Sequence, residues 1–378
     1  MAKNGGLQPE EAIEHVLALA RENKEPEVDV LLSRHESLQL EVRDSRAEKV
    51  AQSTGVGLGI RVLRNGRTGL AYTERLTTEA LETAFREAGA NADHMDATEV
   101  ELAGSPLDVP DPENLGLYNP ALEHLTPEEL LRVGVEMESQ ALQADPRVKT
   151  VTRSITGKSS GSYTVVSTRG LRYTQRSNSV GTYCAVLLDD KAGSVKTGGH
   201  SWSRREWNPE EAALVGRQAV LRGAALMGAR SIPGGRLPVV LDEHIAPRLL
   251  GMYMGNFFAE SAQKGRSRLK GRLGEQIASR DISLLDDPHL AGGPGSRYLD
   301  DEGIATTPLP LIEQGSFASF LYHIESARKE GRESTGHASR GYSSGISTGF
   351  SNLIMPRGEK TLDELCALPE RCLLVTEL

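Results

Sequence analysis

The sequence predicts an α+β protein. Layers of antiparallel strands and helices make up its N-terminal part, followed by a mainly β C-terminal domain that is expected to be incomplete at its C-terminus. Three observations predict this class. Capped helical runs alternate with long runs of period-two apolar residues. Glycine and proline punctuate the strand-like runs at short intervals. The last third turns to short strand-like pieces separated by glycine-rich segments. Three domains are expected: an α+β domain over 1–110, a second over 111–230 and a mainly β domain over 231–378.

The elements follow in order. Pro9 to Glu22 is helical, with Ala12, Ile13, Val16, Leu17 and Ala20 on one face and Pro9 at its start. Glu27 to Ser33 reads as a strand, and Leu38 to Gln52 alternates as another. Asn65-Gly66 predicts a hairpin turn, because both central positions of such a turn want positive φ. Thr77 to Ala92 is a helix with a Thr at its start and apolar residues at helical spacing. Asp93 to Pro120, polar and rich in turn residues, predicts a linker or irregular segment. A helix over Thr126 to Gln143 comes next, then strands from Val148 to Arg205 with turns at Gly161, Gly170 and Gly181. Asn208 to Ala229 is again a capped helix, so the order strand, hairpin, capped helix of 28–92 recurs loosely in 148–229. Arg236 to Glu275 predicts a buried strand over Leu237 to Leu241, an amphipathic helix from Ile245 to Ala262 and a basic loop. Thr361 to Leu368 predicts a short capped helix, and the closing residues a strand.

Composition narrows the function. The net charge of −9, without a long run of either sign, argues against a nucleic-acid or anionic-membrane surface. No apolar run approaches the length of a membrane span, and the first residues lack a signal-peptide core. Three cysteines without CxxC spacing, Cys184, Cys366 and Cys372, speak against a disulfide framework. A cytoplasmic setting is expected.

No local zinc motif is present. Two zinc-binding histidines on one helix stand a turn apart, and none of the nine histidines lies within five residues of another. His35-Glu36 lacks the second histidine because Gln39 stands there, and Glu243-His244 lacks the first because Val240 does. Gly341-Tyr342-Ser343-Ser344-Gly345 matches the GxSxG of serine hydrolases but lacks the strand before it and the helix after it, so it reads as a loop. Ser261 to Lys264 and Ser267 to Lys270 match SxxK, but the KTG at Lys196 to Gly198 precedes them instead of following. The acidic pairs Asp189-Asp190 and Asp286-Asp287 and the run Asp300-Asp301-Glu302 could hold a metal or share a proton; they read better as turn residues. Trp202 and Trp207, beside Arg204-Arg205, could form part of a binding surface; they fit core or edge packing better. The basic stretch Lys264 to Arg272 could meet phosphate or a peptide carboxylate, or be a solvated face.

Taken together these motifs resemble the TldD/PmbA family. VGLGIRVLRNGRTGLAYT is similar to the family's glycine-rich N-terminal hairpin. SRLKGRLGEQIAS, LLDDP, GSRYLDDEGIATTPLPLIEQGSFASFLYHIESA, the STG of STGHASR and LLVTEL follow in the family's order. The likeness covers residues 28 to 378 and is most specific from Ser267 to Ala327. Its zinc-bearing branch carries a helix of the form LLHEAxGH. The matching segment here is LLGMYMGN, with Gly251 and Asn256 at the two histidine positions and Met252 at the glutamate. Glycine and methionine provide neither an imidazole nor a carboxylate. The chain therefore resembles the TldE/PmbA branch, which lacks the zinc site.

The resemblance implies a two-subunit protease. A TldD-like partner would carry zinc and hydrolyse an unfolded or extended peptide, while this chain has no catalytic residue, metal or cofactor of its own. It also implies roles in peptide maturation and, by an older name, in modulation of DNA gyrase, with no membrane and no direct nucleic-acid contact. Lys264, Ser267, Lys270, Ser334, Thr335 and His337 are the residues expected to touch peptide or partner. A homodimer is the other assembly kept open. Other readings are a self-associating scaffold without proteolytic role and a serine hydrolase using Ser343. Family members continue past LLVTEL with further strands, hence the expectation of an incomplete C-terminal β domain.

Overall fold

The computed structural model describes residues 6–98, 100–104, 106, 108–190, 193 and 195–377. Helix α1 (Pro9–Glu22) opens on proline and a reciprocal cap, Gln8 N–H donating to Glu11 Oε2 at 2.8 Å. Strand β1 (Val28–Arg43) is longer than expected, running without a break through Ser33 to Leu38. It turns into β2 (Arg46–Arg64) at Asp44 and Ser45, both in the left-handed region with φ of 51° and 59°. No glycine marks that turn. It is held from outside: the Asp44 and Ser45 amides donate to the Glu138 carboxylate at 3.0 and 2.7 Å. Asn65 and Gly66 form the expected turn, φ 52° and 71°, into β3 (Arg67–Thr73). Thr77 caps α2 (Thr78–His94).

After an irregular stretch with two short 3-10 turns, α3 (Pro127–Ala144) starts on a capping box between Thr126 and Glu129. Strands β4 (Val148–Ser167), β5 (Arg172–Asp189) and β6 (Val195–Arg204) follow. Of the three glycines expected at turns, only Gly170 is at one, with φ 86°. Gly161 and Gly181 lie inside strands, where a Cβ would crowd the carbonyls of Arg34 and Trp202. The next helix divides at Leu214 into α4 (Pro209–Ala213) and α5 (Val215–Ala225).

These six strands pair antiparallel in the order β3-β2-β1-β4-β5-β6. The two halves meet where β1 pairs with β4. Alternation gives the helices one face of β1. Val28, Val30 and Leu32 pack in one core with α1 and α2, and Leu38 and Leu40 in another with α3, α4 and α5. At the two outer strands a glycine lets a helix lie directly on the sheet. A Cβ at Gly69 would overlap the backbone of Ala88 and Ala92, and one at Gly198 that of Ala219 and Gly223.

The C-terminal lobe is built from short pieces. Strand β7 (Val239–Leu241) leads into α6 (Ile245–Tyr253), a 3-10 turn over Met254–Phe257, and α7 (Ala259–Gln263). The expected single helix is thus broken. The break coincides with the chain being drawn alongside Leu321, where Phe258 is extended and Ala259 N–H donates to the Leu321 carbonyl at 3.0 Å. Further on come β8 (Leu284–Asp286), β9 (Leu309–Glu313), β10 (Ser316–Phe317) and α8 (Ile324–Arg328). Strands β11 (Ala338–Ser339), β12 (Ser347–Thr348) and β13 (Leu353–Ile354), helix α9 (Leu362–Ala367) and β14 (Leu373–Val375) complete it. Strands β10-β9-β8-β13 form one small sheet, over a core of Phe257, Phe317, Phe320 and Leu321. Strand β7 pairs with β14 in parallel and, against expectation, is exposed at Val239 (54%). The lobe sits on the face of the large sheet away from the helices, where Leu31, Val165 and Tyr173 pack with Leu299.

Candidate functional site

The segment expected to be a degenerate zinc helix lies largely at the surface. Gly251 and Met252 are on α6, whose only buried residue is Ile245, and Met252 is 77% exposed. Asn256 falls in the 3-10 turn and works as a clamp. Its Oδ1 accepts from Arg268 N–H at 2.9 Å, and its carbonyl accepts from Ser267 Oγ at 2.6 Å. Ser267 Oγ in turn accepts from Leu269 N–H at 3.0 Å. The structure therefore brings Asn256 and Ser267 together and fixes the start of the basic loop. Lys264 pairs with Glu260 at 3.0 Å, whose other oxygen accepts from Thr348 N–H. Burial opposes the charge on Glu260, but the Thr348 amide and Lys264 outweigh it and hold its carboxyl below the ordinary value. Lys270 is exposed.

Ser334, Thr335 and His337 gather round another backbone carbonyl. The Ser334 and Thr335 hydroxyls both reach Tyr322 O at 3.2 Å. Thr335 Oγ1 also accepts from Tyr322 N–H at 2.8 Å and lies 2.8 Å from His337 Nδ1. His337 Nε2 is 2.8 Å from Asp286 Oδ2, and both side chains are buried. Asp286 further accepts from Ser351 N–H. This chain of bonds ties the 334–337 turn to β8. Its hydroxyl, ring and carboxylate are each occupied, which suits a scaffold better than a nucleophile.

The remaining candidates resolve as follows. Ser343 sits exposed in a turn between two-residue strands, without a nucleophile elbow. Its loop is a docking element. The Tyr342 ring lies where a Cβ at Gly57 would be, and the Tyr342 backbone where one at Gly59 would be. Tyr342 Oη donates to Glu74 Oε1 at 2.6 Å. Asp287 and Asp300 accept from backbone amides two residues on, as turn residues do. Trp202 is buried in the middle core, edge-on to Trp207. Among the described residues, no three His, Cys, Asp or Glu side chains are placed to hold a metal ion, and no helix is long and apolar enough to cross a membrane.

The densest chemistry lies elsewhere, between the large sheet and the lobe. Asp29 and Arg61 face each other across β1 and β2, both nearly fully buried. Arg61 Nε donates to Asp29 Oδ2 at 2.9 Å, and its Nη1 to Glu302 Oε1 at 3.2 Å. Glu302 Oε2 also accepts from Ile324 N–H, and Arg340 Nη1 lies 2.9 Å from Asp29 Oδ1. Burial, reinforced by the charge of Glu302, raises Asp300 to about 7. Beside this network opens a cleft of about 460 Å³, lined by Arg297, Asp301, Arg340, Tyr163, Tyr342 and Phe350 among others. Burial, and next the charge of Asp301, pushes the Tyr163 phenol well up. Sequence reasoning missed Asp29, Arg61, Arg297 and Arg340. The available signal was a charge amid apolar neighbours: Asp29 between Val28 and Val30, and Arg61 between Ile60 and Val62.

Comparison with known proteins places this geometry in a family. Three models of one family match in succession: PmbA/TldA metallopeptidase domain 1 over residues 28–92, the central domain over 120–226 and the C-terminal domain over 234–378. The chain is 25% identical over 330 residues to Metalloprotease PmbA of Escherichia coli O157:H7, covering 87% of this chain and 73% of that one. A solved Thermotoga maritima protein named as a modulator of a DNA gyrase superposes with a TM-score of 0.81 at 27% identity, covering 95% of this chain and 80% of the other. TldE from Thermococcus kodakarensis shares the fold, with a TM-score of 0.81 at 24% identity, covering 96% and 82%. The chain belongs to the PmbA/TldD family.

Proposed function

We propose that this chain is the TldE/PmbA-like, non-zinc subunit of a two-chain metalloprotease that degrades or matures unfolded peptides in the cytoplasm. The observation that carries this reading is the segment Gly251, Met252 and Asn256. Two of its positions supply neither an imidazole nor a carboxylate, and the third is engaged in clamping the basic loop through Ser267 and Arg268. The partner would be a TldD-like chain bearing the zinc. This chain would help shape the space in which an extended peptide lies, where backbone hydrogen bonds give sequence-tolerant affinity. Lys264, Ser267, Lys270, Ser334, Thr335 and His337 remain the proposed contact region; the internal bonds of Ser267, Thr335 and His337 support the reading that those three shape it from within.

The test combines metal analysis with a mixing assay. The purified chain should hold zinc well below one equivalent and should not cut an unfolded casein substrate. Adding a TldD-like chain from the same source should produce cleavage, and size-exclusion chromatography should show a mixed complex. Stoichiometric zinc, or cleavage by this chain alone, would sink the reading. A homo-oligomer that ignores the TldD-like chain would favour a scaffold instead.

A further inference from the structure

We infer that the cleft between the large sheet and the C-terminal lobe is a carboxylate-binding site built on Arg340 and Arg297. The side chain of Arg340 is 2% exposed, and only its Nη1 is engaged, against Asp29. Its Nε and Nη2 have no hydrogen-bond partner among the described residues, and neither has Arg297 Nε. Arg297 keeps its place through Nη1, which donates to the Ala338 carbonyl at 2.9 Å. Three guanidinium donors are thus buried beside one cleft without a partner among the described residues. A buried donor without a partner is destabilising, so such a group points to a ligand that completes it. The Nε and Nη2 of one guanidinium form the planar fork that a carboxylate fills with two parallel bonds.

Asp29 faces both Arg61 and Arg340, Glu302 takes Arg61, and Asp301 is the carboxylate that shares the cleft with Arg297 and Arg340. Asp301 takes the Arg340 amide at 2.8 Å and stands 3.9 Å from Arg297 Nη1, which leaves the Arg340 fork free. The walls combine Tyr163, Tyr342, Phe350 and Pro294 with the polar Ser33, Gln175 and Ser296, and the volume of about 460 Å³ admits the last residue or two of a peptide. The ligand class is therefore a peptide carboxylate, from a C-terminus or an acidic side chain. Only the choice of a peptide as its carrier rests on the proposed function.

The experiment titrates the full chain alone, by calorimetry, with three acetylated hexa-alanine peptides: one with a free C-terminus, one amidated, and one amidated with a single internal glutamate. The free acid should bind roughly tenfold tighter than the plain amide, as a charge-assisted bidentate pair does. Equal binding of the glutamate peptide would identify the side chain as a second source of the same group. Arg340→Lys keeps a charge opposite Asp29 but removes the fork, so it should erase the preference while leaving the urea midpoint near that of the parent. Should that variant fail to fold, Arg297→Lys gives the second reading, with a severalfold loss expected. No binding by the free acid, equal binding of acid and plain amide, or a preference that survives both substitutions would overturn the inference. Cleavage in the mixed two-chain assay reports the proposed function separately and does not depend on this preference.

Discussion

The N-terminal and middle halves of the large sheet are built on one plan. Each has a helix before its strands, a run of three antiparallel strands and a capped helix after them, with a glycine on the outer strand under that helix. They hold the C-terminal lobe by different chemistry. The N-terminal half presents buried charges, Asp29 and Arg61, to Glu302 and Arg340. The middle half meets the lobe through uncharged acceptors: Gln175 Nε2 donates to Ser296 O at 3.0 Å, Tyr298 N–H to Tyr173 Oη at 3.3 Å, and Arg205 to the Gly292 carbonyl. The difference teaches where the molecule is brittle. Removing one member of a buried ion network strands the others, whereas losing one neutral bond does not.

The largest effect should come from Arg61→Met. It leaves Glu302 buried without its cation and Asp29 with Arg340 alone, and should lower the unfolding free energy by about 3–5 kcal/mol in urea titration. A loss below 1 kcal/mol would erase the contrast between the halves. Next comes Gly59→Val, whose side chain needs the space of the Tyr342 backbone. We expect a loss of about 1–3 kcal/mol and faster proteolytic nicking within residues 340–346; protection equal to the parent would show that the loop is not docked there.

A pH effect should appear on the charged side only. Asp300 stands at about 7 when folded, against 3.8 ordinarily, from burial and the charge of Glu302, with Arg297 and the Ala338 and Ile304 amides opposing. The native state then binds this proton more tightly than the unfolded state. The contribution of Asp300 to stability is therefore fully present below about pH 4 and is lost as pH rises toward 7. Urea midpoints across that window should fall more steeply in the parent than in Asp300→Asn; parallel curves would refute the assignment. The smallest effects should come from the neutral side and the caps. Gln175→Leu should lose about 1 kcal/mol. Thr77→Ala and Thr126→Ala should lose about 1 kcal/mol each, alike in both halves. Unequal cap losses would mean that the helices are not equivalent.

Much of this was legible in the sequence. Helix α1 and the caps at Thr77, Thr126 and Thr361 came from local signals, as did the Asn65-Gly66 turn and the outline of the family. What failed was whatever a distant residue decides. The turn at Asp44 and Ser45 is fixed by Glu138 on α3. Gly161 and Gly181 look like turns in one dimension, yet they are places where a neighbouring strand comes close. The helix expected over Ile245 to Ala262 yields at Phe258, where the chain runs beside Leu321. The ion network draws on residues as far apart as Arg61 and Glu302, and no local pattern joins them.

The pairing of β1 with β4 also governs the order in which the protein can be made. Asp29 to Val42 must wait for Ser154 to Ser167 before that edge is covered. While the chain is emerging from the ribosome, β1 and β2 can close their own hairpin early, leaving β1 with a long open edge. Closing so long a loop is slow. During that interval the nascent chain offers a ready template for another strand, so the time between synthesis of Arg43 and of Ser167 is its period of greatest exposure to mispairing.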